Sequence, residues 1–142
     1  DAANNFWITG VKLELGDIAT DYDYRSYGDE LARCQRYFSK IGYGTQYTYV
    51  KSGILSSNTN TRCYHRFPVQ MRSAPTITEI GTLKVDSQIS AAEDVTAVGT
   101  SQTTVDGGRI EFTHGSHSQS SGQAVIIYTN DTTSGLDFNS EL

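Results

Sequence analysis

Residues 9–39, TGVKLELGDIATDYDYRSYGDELARCQRYFS, change hydrophobic period half-way along. Val11, Leu13 and Leu15 alternate with Lys12 and Glu14, the period-2 pattern of a half-buried β-strand, and Gly16-Asp17 ends it. Residues 18–25 are short, polar and aromatic, lack helical periodicity, and read as an extended connector. Ser26 then supplies an N-cap, and Asp29 and Glu30 fall in a first turn whose dipole favours acid. Leu31, Cys34 and Phe38 recur at spacings of three and four. The pattern predicts one amphipathic helix of about three turns over residues 27–39. The chain divides accordingly: residues 1–25 are the terminal strand and linker of an upstream module, and residues 26–142 a distal domain that opens with the helix.

From Ile41 onward the pattern is almost entirely β. Residues 45–50 read as a strand with Tyr47 and Tyr49 on one face, and residues 51–55 extend it through a bend at Gly53. Residues 56–61 form a polar loop, and 63–71 a strand in which Pro68 argues for an edge or a bulge. Shorter strands are predicted at 76–80, 83–85, 88–91, 95–98, 109–113 and 124–128. Spacing near ten residues, with turn signals such as Asp106-Gly107-Gly108, points to an antiparallel β-sandwich, jelly-roll-like in arrangement. Residues 124–128, apolar on both faces, belong in the middle of a sheet or against a neighbouring copy.

Composition limits the function classes. The 142 residues hold a real core, and 13 glycines, nine tyrosines and two prolines suit short strands joined by polar turns. There is no apolar run of membrane-spanning length, so no membrane insertion is expected. The formal charge of −5, without a dense Lys/Arg cluster, argues against nucleic acid. The chain begins Asp1-Ala2-Ala3 without Met, which suggests a piece of something longer. Cys34 and Cys63 are expected as free, buried thiols, one on the helix stripe and one in a strand.

Candidate chemistry is sparse. His114 and His117, in the Ser- and Gly-rich stretch 113–122, are two ligands at most and read as part of a solvated loop, so no metal or other cofactor is expected. Glu79, Glu93, Asp94, Asp106, Glu111 and Asp131 are scattered without the spacing of a carboxylate pair, so no catalytic residue is expected. Asp131-Thr132-Thr133 and Asp86-Ser87 lack the alternating acids of a calcium loop. The aromatic residues Trp7, Tyr43, Tyr47, Tyr49, Tyr64 and Tyr128 are more informative. Sugar rings stack their C–H faces on such side chains, while amides and guanidinium groups fix the hydroxyls. The candidate ligand site is Tyr43, Tyr47 and Tyr49 with Asn58, Asn60 and Arg62. Trp7 reads as packing in the upstream module. Arg25, Tyr27, Gln35, Arg36 and Tyr37, dense in large planar hydrogen-bonding groups, read as an interface between modules or copies.

The residues of the opening stretch also carry a resemblance. Gly10, Val11, Leu13, Glu14, Gly16, Ala19, Thr20 and Tyr22 are similar to the strand G-V-Q-L-E-x-G-x-x-A-T-x-F/Y that ends a carbohydrate-binding-type sandwich in bacteriophage tail fibre and related virion proteins. Arg25, Tyr27, Gly28, Glu30, Leu31, Cys34, Gln35, Arg36, Tyr37 and Phe38 resemble the terminal-domain opening R-x-Y-G-x-E-L-x-x-C-Q-R-Y-Y/F. The likeness returns in residues 67–76, FPVQMRSAPT, and in Glu141-Leu142. Lys12 stands where Gln is usual and Asp23 where Glu is commoner. The resemblance implies a homotrimer with the helix and apolar strand near its axis, other virion tail or capsid proteins as partners, and distal loops that attach to host cell-surface glycan. It implies a place in the virion, assembled in the host bacterial cytoplasm; with no nucleophile elbow or spaced carboxylate pair, no enzyme is expected. Two other roles stay open: a non-binding trimerisation cap or capsid-decorating domain, and an appendage of a glycan depolymerase.

Overall fold

The computed structural model describes residues 7–87, 89 and 91–141. One helix, α1 (Tyr27–Gln35), precedes β1 (Phe38–Gly42), β2 (Tyr49–Ser57), β3 (Asn60–Arg66), β4 (Thr76–Ile80), β5 (Leu83–Asp86), β6 (Glu93–Ser101), β7 (Gly107–His114), β8 (Ala124–Thr129) and β9 (Gly135–Asn139). The fold is mainly β, with two antiparallel sheets and one short helix, consistent with the predicted sandwich. The smaller sheet runs β1-β9-β4; the larger runs β2-β3-β7-β6-β5-β8 and closes on itself, because β8 pairs with β2 as well as with β5.

The helix starts where the sequence places it. Ser26 is extended, its Oγ accepts from the Asp29 amide at 3.2 Å, and its hydroxyl donates to the Asp29 carboxylate at 2.7 Å. It ends at Gln35 rather than Ser39. The amides of Arg36 and Tyr37 fold back onto Arg33 O and Cys34 O, and Phe38 and Ser39 are drawn into β1 opposite Asn139 and Phe138. Ladder pairing outweighs a helical pattern that has little to pack against: Leu31 is 41% exposed, and Cys34, expected to be buried, is also exposed.

Residues 11–15 form no strand, since no ladder partner for them exists among the described residues. Their alternation persists as chemistry. Lys12 and Glu14 ion-pair at 2.8 Å, Glu14 accepts from Thr20 N and Thr20 Oγ1 at 2.6 Å each, and Lys12 Nζ also donates to Thr20 Oγ1. Val11, Leu13 and Leu15 stay open to solvent, Leu13 at 99%.

The strand reading holds for 76–80, 83–85, 95–98, 109–113 and 124–128, each within one observed strand. Residues 45–48 are a turn instead of a strand. The expected loop 56–61 shrinks to a tight hairpin with Ser57 opposite Asn60, because pairing continues almost to its tip. The strand expected to run to Met71 ends at Arg66, before Pro68, which has no amide hydrogen for a ladder. In β2 the irregularities fall at Tyr49/Lys51 and Leu55/Ser57, not at Gly53. Of the strand expected over 88–91, Gln88 and Ser90 lie outside the described residues, as do Asp1-Ala2-Ala3 and Leu142. Residues 124–128 are central, as read, flanked by β2 and β5.

Inward positions at period two fill the larger sheet: Leu55, Thr61, Cys63, Leu83, Val85, Ile110, Phe112, Val125 and Ile127 are buried. His65 of β3 stacks on Phe138 of β9 at 4.7 Å and meets the edge of Phe67 at 5.1 Å, so three rings bind the two sheets together. A second joint lies at the helix exit. Arg36 O accepts from Arg72 N at 2.7 Å and from Ser140 Oγ at 2.8 Å, and Tyr37 O accepts from Ser140 N at 2.8 Å.

Candidate functional site

The β1–β2 connection, residues 43–48, is held against the segment that follows β8. Tyr43 N donates to Ser134 O, Gly44 N to Thr132 O and Tyr47 N to Thr129 O at 2.8–2.9 Å, while Gln46 Nε2 reaches Asn130 O at 2.8 Å. Thr129 Oγ1 accepts from Thr48 N at 2.9 Å and donates to Thr45 O at 3.0 Å. This stitching fixes left-handed backbone at two non-glycine residues, Tyr43 (φ 64) and Tyr47 (φ 63).

Tyr47 and Tyr49, predicted together, are together, though not through strand alternation. The turn lays the Tyr47 ring against Tyr128, 5.9 Å between centroids, and Tyr49 lies directly opposite Tyr128 in the β2–β8 ladder. Asp86 and Ile126, two register pairs further along the β5–β8 ladder, complete a hollow of about 170 Å³ walled by Tyr47, Tyr49 and Tyr128. Tyr47 is 63% and Tyr49 70% exposed, whereas Tyr128 and Asp86 are half-buried. Burial first, and the Asp86 carboxylate second, hold the Tyr128 hydroxyl protonated above the ordinary phenol range. Beside it Lys84, opposite Tyr128 on β5, pairs with Asp94 at 2.6 Å. The result is a rigid aromatic shelf with a carboxylate and an ammonium at its margin. It suits an apolar ring face bearing hydroxyls. Tyr128 was among the aromatic candidates; Asp86 and Lys84 were missed, because only the β5–β8 register brings them to the tyrosines.

The other predicted ligand residues are elsewhere. Tyr43 is structural: its ring lies over Gly135, its hydroxyl donates to Asp137 Oδ1 at 2.5 Å, and Lys40 Nζ sits 4.9 Å from its centroid. Burial, reinforced by that bond, raises its hydroxyl well above the phenol range. Asn58 and Asn60 stand at the far end of β2, roughly 25 Å from Tyr49 at the usual rise per strand residue. They serve the hairpin and its neighbours: Asn58 Nδ2 donates to Ser116 Oγ at 3.1 Å, and Asn60 Oδ1 accepts from Thr113 Oγ1 at 3.1 Å. Arg62 lies on the outer wall, paired with Glu111 at 3.1 Å.

His114 and His117 are buried, not solvated as expected, with ring centroids 4.9 Å apart. The carbonyl of Gly115 only accepts, so His114 Nδ1 carries the proton and Nε2 accepts from Thr61 Oγ1 at 2.9 Å. Burial lowers the His114 pKa, consistent with a neutral ring. Among the described residues no three His, Cys, Asp or Glu side chains gather as a metal site. Cys63 is free and buried, which raises its thiol pKa to about 11. Asp131 is drawn down to about 2 by the Thr133 and Ser134 side chains and backbone that bond its carboxylate, an internal turn.

The predicted interface residues occupy both ends of α1. Arg25 pairs with Asp23 at 3.2 Å and Glu30 at 3.4 Å, and Tyr27 beside it is exposed. At the other end Arg36 and Tyr37 enter the helix-exit joint, with the Arg72 guanidinium 5.7 Å from the Tyr37 centroid, and Gln35 is half-buried. No helix among the described residues is long and apolar enough to cross a membrane. The chain matches no protein-family model, no curated protein and no solved structure.

Proposed function

We propose that this chain is a distal attachment domain of a phage tail fibre or similar virion appendage, and that it binds host-surface glycan on the shelf of Tyr47, Tyr49 and Tyr128. The observation that carries this reading is the shelf itself. Two exposed rings are held by a stitched turn and a strand, so little conformational freedom is lost when a sugar stacks on them. The resemblance of the opening stretch to tail-fibre termini supplies the biological setting. Copies arranged as a trimer present three shelves, and weak single-site binding becomes avidity.

A glycan array probed with the full chain, alongside Tyr49→Ala, tests the proposal. The parent should retain sugars that the variant loses roughly tenfold or more, with an unchanged melting temperature. Equal retention by both proteins sinks the shelf as the site. One observation favours a second reading, the non-binding trimerisation cap: the large apolar side chains of Val11, Leu13, Leu15 and Leu31 are left exposed. A stable oligomer that retains no glycan selects the cap.

A further inference from the structure

The outer wall of the larger sheet holds a second set of side chains suited to sugars, with a different charge. Ile54, Arg62, Glu111 and Gly99 are successive register partners across β2, β3, β7 and β6, and in the adjoining row Tyr64 lies opposite Arg109, which lies opposite Ser101. Of these, Ile54, Arg62, Tyr64 and Arg109 line, with Gln102, a groove of about 550 Å³. Tyr64 is 67% exposed and offers its ring face. Gly53 lies beneath: a Cβ there would meet Arg62 O at 2.5 Å, so its missing side chain lets β2 and β3 close into one floor.

The polar groups are arranged around one carboxylate. Glu111 Oε1 ion-pairs with Arg62 Nε at 3.1 Å and with Arg109 Nη2 at 3.0 Å and accepts a hydrogen bond from Ser101 Oγ at 3.2 Å, and Ser101 Oγ in turn accepts from Arg109 Nε at 2.7 Å. One acid thus orients two guanidinium groups and leaves a net positive charge. Both Nη nitrogens of Arg62 and Nη1 of Arg109 have no other partner among the described residues. In a chain of net charge −5 this is a local reversal, beside an aromatic face. Forked donors at such spacing match a planar carboxylate.

We propose that this groove is a subsite for a carboxylate-bearing sugar, a uronic or sialic acid unit, with Tyr64 stacking on the ring and Arg62 and Arg109 holding the acid. The inference rests on the glycan-binding reading and deepens it. Ser52 and Ile54 line the groove on the strand that begins at Tyr49, roughly 10–17 Å along β2. A single acidic oligosaccharide therefore reaches from the shelf to the groove along one strand.

The test is calorimetry of the full chain with oligogalacturonate, its carboxyl-reduced counterpart and inorganic phosphate. The acidic oligomer should bind at least tenfold more tightly than the reduced one, more weakly at high salt, and phosphate should not compete. Arg62→Gln should erase the preference for acid while leaving the reduced oligomer's affinity unchanged; Tyr64→Ala should weaken the acidic oligomer alone, and Tyr49→Ala should weaken both. Equal affinity for acidic and reduced forms, or an unaltered preference in Arg62→Gln, overturns the subsite while the shelf stands. Effective competition by phosphate reduces the groove to a simple anion site and overturns the proposal. Absence of binding to either oligomer, on a protein that also retains nothing on the array, overturns both readings.

Discussion

The carbonyl of Arg36 accepts a hydrogen bond from Ser140 Oγ at 2.8 Å, across a sequence separation of 104 residues. The same carbonyl accepts from Arg72 N, so the helix exit, the 67–76 stretch and the carboxyl end meet at one atom. Three stretches far apart in sequence thus form one structural joint. Ser140→Ala removes one of two donors to that carbonyl and should cost about 1 kcal/mol, read as a lower urea midpoint at unchanged slope. No measurable loss would mean that the joint depends on Arg72 alone.

Gly135 and Tyr43 give a contrasting pair. The Tyr43 ring occupies the space a Gly135 side chain would need, and a Cβ there would also meet Ile41 O at 2.6 Å. Gly135→Ala must move backbone and should destabilise by about 1–3 kcal/mol. Tyr43→Phe loses only the bond to Asp137, about 1 kcal/mol, and should leave sugar binding intact. A binding defect in Tyr43→Phe with stability preserved would return Tyr43 to the site.

Acid should weaken the fold through His65. Burial chiefly, and the Lys51 charge secondarily, lower its pKa to about 4, and neither ring nitrogen has a hydrogen-bond partner among the described residues. The unfolded chain therefore takes up the proton first as pH falls below about 6.5, and stability declines until the folded form is protonated near 4. The loss over that window is about 3 kcal/mol. His65→Phe should flatten the decline, leaving a smaller slope from His114, which titrates in the same direction. Denaturation midpoints from pH 7.5 to 4 follow it.

Asn60 and Tyr49 separate structure from binding. Asn60→Ala strips the hairpin of contacts to Ser57, Thr59 and Thr113 and should lower the melting temperature by several degrees without changing sugar affinity. Tyr49→Ala should do the reverse. Parallel thermal melts and binding isotherms of the two variants decide it.

Leu31→Glu places a charge on the uncovered helix face. If copies associate there, the variant should sediment as a monomer at concentrations where the parent is oligomeric. An identical distribution for the two proteins moves the contact elsewhere.

Much of this architecture was legible in the sequence. The alternation in 109–113 reports burial directly, and Ser26 with Asp29 announces the helix start. The rest depends on long-range pairing. Phe38 and Ser39 continue a helical pattern until Asn139 and Phe138 claim them, and nothing local in 135–139 marks it as their partner. The candidate site was half visible. Tyr47 and Tyr49 announce themselves by composition, whereas Asp86 and Lys84 reach the shelf only through ladder register. Tyr43 was misplaced because its left-handed backbone, imposed by the bonds of its loop, turns the ring away from its neighbours in sequence.

Closure of the larger sheet has a corollary. Its six strands satisfy one another, so among the described residues the open ladder edges belong to β1 and β4 of the smaller sheet. Strand-to-strand joining with other chains falls to the two edges of that smaller sheet. The shelf and the groove are built on the closed sheet, where substitutions of exposed side chains leave those edges intact.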